Sequence, residues 1–332
     1  MKLFDKLGRL LTKTSLDAEI TTDGEPRIRI SAKSIQKVLE DIRTELKLHR
    51  TLIDKKKQGV ILIDENGAEF GVSHTLNELH VENTPEGWEI ARGNVAGKTP
   101  IHILGNNDDT STSFEDMWEA GGLYVFPAAG GIQMEVRSTG TNEANDTADG
   151  TGVQQVMIHY LDGGYVERFE FVEMNGATPV DTVATDILRV QNMHSSRVGS
   201  GGVAAETISL EDTTSAVEYT RIRAGINTSL TGVWTVPINK TLYITEWETA
   251  AIATNANRTA EFFLRATSSF HGDLLPGIFN VKDISHLTSG QVETFFDLPL
   301  KIPSKADVKV TVSSSAAMEC ACHIEGWYEN EK

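Results

Sequence analysis

Residues 150–180, GTGVQQVMIHYLDGGYVERFEFVEMNGATPV, decide how this chain folds. Apolar and polar side chains alternate on both sides of Asp162-Gly163-Gly164, and the run closes at Asn175-Gly176. A period of two belongs to strands, whose successive side chains point to opposite faces. Val156, Ile158 and Tyr160 line one face going out; Tyr165, Phe169 and Phe171 line a face on the return. Gly and Asn supply the positive φ that tight turns demand. Pattern and turn chemistry therefore agree on an antiparallel meander.

The same signature continues in both directions. Upstream, Gln133–Arg137 reads as a strand, followed by the polar loop 138–152. Downstream, Thr182–Gln191 and Ala205–Leu210 read as strands around the glycine-rich 198–202. A second block starts near 217. Its expected strands are Glu218–Ala224, Gly232–Val236, Thr241–Thr249, Ala260–Thr267, Gly290–Pro299, Asp307–Ser313 and Met318–Tyr328. Strands at this spacing, without intervening helices, point to tandem antiparallel β-sandwich or jelly-roll-like domains, 124–215 and 216–332. Before them lies a small β-rich region, 58–123, with a hairpin at Asn66-Gly67, a strand pair around Pro85 and Gly87, and a segment near Trp118 that fits no pattern.

Residues 1–57 are different and read as a helical segment. Leu3, Phe4, Leu7, Leu10 and Leu11 fall at helical spacing, a short amphipathic stretch that needs a surface to bury against. Ser31 then caps a helix in which Ile35, Leu39, Ile42, Leu46, His49 and Ile53 recur at heptad spacing. That seam suits either packing on its own domain or joining protomers.

Charge divides along the same line. The net charge is −17; residues 1–57 hold 14 Lys/Arg against 9 Asp/Glu, and the remaining residues hold 16 against 38. An acidic body repels nucleic acid. No apolar run approaches the roughly 18 residues of a membrane helix, so no membrane partner is expected. The start, MKLFDKLGRLLTK, lacks the core and cleavage site of a secretory signal.

Signatures of chemistry are sparse. The GSGG at 199–202 is followed by β-pattern, not by a phosphate-binding helix. His74, His80 and His102 share no helical metal spacing. Cys320 and Cys322 sit on one strand face with His323 on the other, which splits the cluster that CACH suggests and makes the cysteines core residues. Asn106, Asn107, Asp108 and Asp109, and again Asn145, Asp146 and Asp149, are oxygen-rich as calcium loops are, without the ordered spacing of one. No cofactor and no catalytic group are expected. The five tryptophans are expected as core anchors.

Three stretches carry a resemblance. NDTADGTGVQQVMIHYLDGGYVERFEFVEMNGATPVDT, GVWTVPINKTLYITEWETA and FDLPLKIPSKADVKVTVSSSAAMECACHIEGWYE resemble segments of structural proteins of tailed-bacteriophage virions. Together they cover roughly residues 145–330. The resemblance implies a non-enzymatic virion component: a head fibre, capsid decoration or vertex spike, or else a tail or collar part or a receptor- or glycan-binding spike. Its partners would be copies of itself, as a homo-oligomer and in one arrangement a trimer, together with capsid, portal or tail proteins and a host-surface receptor or glycan. In such proteins an N-terminal segment anchors the chain and β-domains project. Here Leu3, Phe4, Leu7, Leu10 and Leu11 would anchor to the particle, and Ile35, Leu39, Ile42, Leu46 and Ile53 would join protomers. Were the chain a receptor- or glycan-binding spike, the polar loops 105–113, 138–152 and 195–204 would touch the host.

Overall fold

The computed structural model describes residues 17–20, 26–29, 62–63, 69–70, 86–252 and 257–331. They fall into two units, 1–85 and 86–332, each taken by itself. In the first, β1 (Asp17–Ile20) pairs antiparallel with β2 (Pro26–Arg29), a strand pair that lies in sequence between the amphipathic stretch and the heptad seam. β3 (Leu62–Ile63) pairs with β4 (Glu69–Phe70), flanking Asn66-Gly67 as expected. The amphipathic stretch 1–12 and the heptad seam from Ile35 to Ile53 lie outside the described residues.

The second unit opens with α1 (Glu86–Ala91), where the sequence suggests a strand pair. Local bonds decide the outcome: Arg92 N–H donates to the Trp88 carbonyl one turn back, and Glu89 accepts from the Arg92 and Asn94 side chains. Pro85 precedes the helix in sequence, where its missing N–H is harmless. Ile90 is buried and Trp88 is exposed, so Trp88 is not a core anchor, nor is the half-buried Trp327, which stacks on Tyr243; Trp118, Trp234 and Trp247 are.

The rest is β. One sandwich closes between the sheet β10-β7-β12-β13 and the sheet β11-β8-β9. The strands are β7 (Met134–Thr139), β8 (Val153–Asp162), β9 (Glu167–Glu173), β10 (Val180–Asp181), β11 (Ile187–Val198), β12 (Thr207–Asp212) and β13 (Glu218–Ile222). Val156, Ile158, Ile187, Met193, Ile208 and Leu210 fill its core. The expected junction at 215 falls inside this sheet, between the paired β12 and β13. Val172 stands opposite Val156 and completes the core side of β9, so the face made by Phe169 and Phe171 is the outer one, and both rings are exposed.

The second sandwich packs β14-β19-β16-β17, with β6 alongside β19, against β18-β15-β20-β5. These are β5 (Lys98–Asn107), β6 (Glu115–Asp116), β14 (Val233–Thr235), β15 (Lys240–Ile252), β16 (Ala260–Phe270), β17 (Asp273–Leu287), β18 (Gly290–Ile302), β19 (Asp307–Ser314) and β20 (Glu319–Asn330). Trp247, Phe262, Leu264, Val310 and Ile324 fill its interior, with Cys320 and Cys322 among them. Thus 58–123 contributes β5 and β6 to the C-terminal sheets through pairing with β20 and β19.

Two polar devices hold the unit. Asp146 is fully buried, and its carboxylate accepts from Ser138 Oγ, Val153 N–H, Ala205 N–H and Glu206 N–H at 2.8–3.0 Å. Gly150 and Gly152 let the chain wrap this group: a Cβ on Gly152 would stand 2.2 Å from Asp146 Oδ1. The Gly-Thr-Gly turn is therefore a close-approach device. Between the sandwiches, Arg189 of β11 clamps Asp307 of β19 with Nε–Oδ1 at 2.9 Å and Nη2–Oδ2 at 3.3 Å. Beside it, Gln191 exchanges two hydrogen bonds with the Thr235 backbone at 2.6 and 3.0 Å.

Candidate functional site

The surface that departs most from an ordinary exterior is the free edge of the C-terminal sandwich. β17 pairs only with β16, and β18 only with β15, so each leaves one backbone edge open among the described residues. On β17, Asp283 and Ser285 turn inward, accepting from Trp247 Nε1 at 2.8 Å and meeting Thr249 Oγ1 at 2.8 Å. Leu275, Ile278, Val281 and Ile284 are left exposed. On β18 the register slips: Ile244 faces Leu300 while Glu246 faces Phe295, so four residues oppose Thr245 alone. The bulge pushes Leu298 outward to 85% exposure, and neighbouring Phe295 is 65% exposed. Soluble proteins blunt such edges with charge, proline and bulges; β17 carries Pro276, Lys282 and Asp283, and β18 carries Glu293, Asp297, Pro299 and Lys301, yet the apolar side chains named above stay exposed.

Around the corner lies the outer face of β18-β15-β20-β5. Cross-strand register lays two polar rows across it: His102, Glu325, Glu246, then Phe295; and Leu104, His323, Glu248, Glu293. Neither row contains Lys or Arg. Burial, then a hydrogen bond shared with Glu293 and the charges of Glu325, Glu293 and Glu248, pushes the Glu246 carboxyl up to about 7. His102 Nδ1 and His323 Nε2 approach the same oxygen, Glu325 Oε1, at 3.3 and 3.4 Å.

The candidate groups from the sequence sort differently. The Cys320–Cys322–His323 cluster is divided by strand alternation, as expected: both thiols are buried and His323 faces outward. Burial pushes the Cys322 thiol up to about 12 and the Cys320 thiol up to about 11. Protein donors and acceptors take up much of the two oxygen-rich loops, while Asn106 Oδ1 is buried with no hydrogen-bond partner. Asp146 is saturated by protein donors; Asn107 Oδ1 accepts from Asp109 N–H, while its Nδ2 donates to Glu115 and the Asn106 Nδ2 donates to the Cys320 carbonyl. Among the described residues His102 joins His323 and Glu325; His74 and His80 lie outside the described residues, as do the anchor and seam residues. The edge surface escaped sequence reading because β17 lacks alternation. Its one visible signal is the density of Leu, Ile, Val and Phe between 274 and 298.

A groove of about 530 Å³ at one end of the sandwich is lined by Thr112, Glu261, His286 and Ser313–Ser315. Its hydroxyls serve the backbone: Ser313 Oγ donates to the Thr112 carbonyl and Ser314 Oγ to the Ala316 carbonyl. The exposed His286 Nδ1 meets Glu261 Oε1 at 3.5 Å. Thus the Ser313 and Ser314 hydroxyls are engaged elsewhere rather than aimed at this histidine.

No protein-family model matches the chain, and no curated protein matches it. Among solved structures it is similar to chains of infectious bursal disease virus. For the Gt strain the identity is 10%, over 70% of this chain and 76% of that one, at a TM-score of 0.17. For the derived T=1 particles the identity is 11%, over 71% and 74%, at a TM-score of 0.16. Overlap at these scores falls short of a shared fold.

Proposed function

We propose that this chain is a non-enzymatic structural protein of a tailed-phage virion, working by burial of apolar surface between copies of itself. The observation that carries the reading is the free edge: Leu275, Ile278, Val281 and Ile284 on β17 with Val292, Phe295 and Leu298 on β18, exposed on strands whose outer edges are open. Isolated exposed apolar residues are ordinary; a run of them along two open edges marks an interface. The similarity of residues 145–330 to phage virion proteins supports the same reading from the sequence.

A head fibre, decoration or vertex spike is the preferred role, with a tail or collar position as the alternative. The N-terminal seam Ile35, Leu39, Ile42, Leu46 and Ile53 would add a second contact between protomers, and Leu3, Phe4, Leu7, Leu10 and Leu11 would dock to the particle. Burial of apolar area contributes about 25 cal/mol per Å², from which ordering costs are subtracted, so a stable contact needs roughly 1,200 Å² or more in total. Sedimentation of the purified chain tests association. The wild type is expected as an oligomer, Phe295→Asp and Ile278→Asp weaken it through the edge, and Leu39→Asp weakens it through the seam. A wild type that stays monomeric at high concentration defeats the proposal. Antibody labelling of purified particles then distinguishes head from tail, and particles that carry no label defeat the virion assignment.

A further inference from the structure

We propose that His102, His323 and Glu325 bind a divalent transition-metal ion of the zinc class, clamping β5 to β20 on the outer face of the C-terminal sandwich. Glu325 Oε1 lies 3.3 Å from His102 Nδ1 and 3.4 Å from His323 Nε2, and the three ligand atoms all fall within 4.8 Å of one another. Metal bonds of roughly 2.0–2.1 Å at tetrahedral angles place neighbouring ligand atoms about 3.3 Å apart. Both nitrogens stand farther from the oxygen than the roughly 2.9 Å of a strong hydrogen bond, and at the spacing of a coordination polyhedron.

The backbone holds this arrangement. Glu325 stands directly opposite His102 across the β5–β20 ladder, and His323 sits two residues along on the same face. The rings of His102 and His323 stack at 5.7 Å with 18° between planes. His102 is mostly exposed, and a turn about χ2 would aim its lone pair at a shared ion. Glu248 of β15 stands opposite His323 and adds acidic character beside the site. Two imidazoles with a carboxylate favour zinc, cobalt or nickel over calcium or magnesium, which prefer oxygen alone. β5 is the outermost strand of its sheet, so an ion here ties an edge strand to its neighbour.

Titration calorimetry of the full chain with zinc chloride, and separately calcium chloride, tests the proposal. One saturable zinc site is expected, with calcium binding much more weakly. His102→Ala and Glu325→Gln are expected to lower zinc affinity at least 10- to 100-fold. His102 is exposed, so its variant retains the fold, which circular dichroism checks. Cobalt gives a second readout: visible ligand-field bands in the wild type that vanish in His323→Ala. Zinc binding unchanged in His102→Ala, or calcium binding as tightly as zinc, overturns the assignment. So does the absence of saturable zinc binding.

Discussion

Replacing Arg189 by Met isolates what joins the two sandwiches. The guanidinium makes two hydrogen bonds to Asp307 and one to the Leu188 carbonyl, and lies 4.5 Å from the Phe126 ring centre. Both charged side chains are nearly inaccessible, 11% and 6% exposed. Met keeps much of the apolar stem and removes the charge. Asp307 then retains only the Thr235 hydroxyl, at 2.6 Å, as a side-chain donor. Leaving one member of a buried pair uncompensated costs about 3–5 kcal/mol. With a urea slope near 3 kcal/mol per M, the midpoint falls by roughly 1 M or more. Trp234, whose ring meets His159 across the same junction, reports the transition by fluorescence. Arg189→Met is expected to destabilise and to separate the two sandwiches into distinct transitions. Arg189→Met/Asp307→Asn is expected to recover much of the loss, since no buried charge remains. A single variant within about 1 kcal/mol of wild type, or a double variant with the full sum of both losses, refutes the reasoning.

Asp146→Ala strands four donors at once and is expected to cost about 3–5 kcal/mol; Gly152→Ala, which drives a methyl into the same carboxylate, should cost about 2–4 kcal/mol, both read by urea unfolding. Burial pushes the Glu119 carboxyl up to about 7, and its Oε1 has no hydrogen-bond partner. Folded protein therefore holds a proton that the unfolded chain releases near 4.5, so stability falls as pH rises from there to about 7. Glu119→Gln removes that slope, and its advantage over wild type should grow by about 1–3 kcal/mol across the window; a constant gap in denaturation midpoints below and above it contradicts this. Cys322 should resist alkylation in the folded protein at mildly alkaline pH and react fully in denaturant; rapid native labelling contradicts its burial.

Much of the fold was legible in local pattern. From β7 to β20, apart from β17, strands of short period bounded by Gly, Asn and Asp carried most of their own boundaries, because alternation and turn chemistry depend on neighbours a few residues apart. β17 was not legible: Pro276, Gly277 and a bulge near Lys282 break its period, and its solvent face carries Ile278, Val281 and Ile284 where alternation would place polar residues. α1 was missed because six residues are too few for a helical period to show.

The chain's own order of residues determined that it is β, acidic in its body, and that Cys320 and Cys322 point away from His323, since strand geometry fixes which side chains share a face. Tertiary pairing alone decided that Glu325 meets His102 across 223 positions of sequence, that Arg189 meets Asp307, and that β17 and β18 each end a sheet with one edge open. Those outcomes depend on which strands become neighbours and in what register, and that is settled by the packing of two whole sheets rather than by any local stretch.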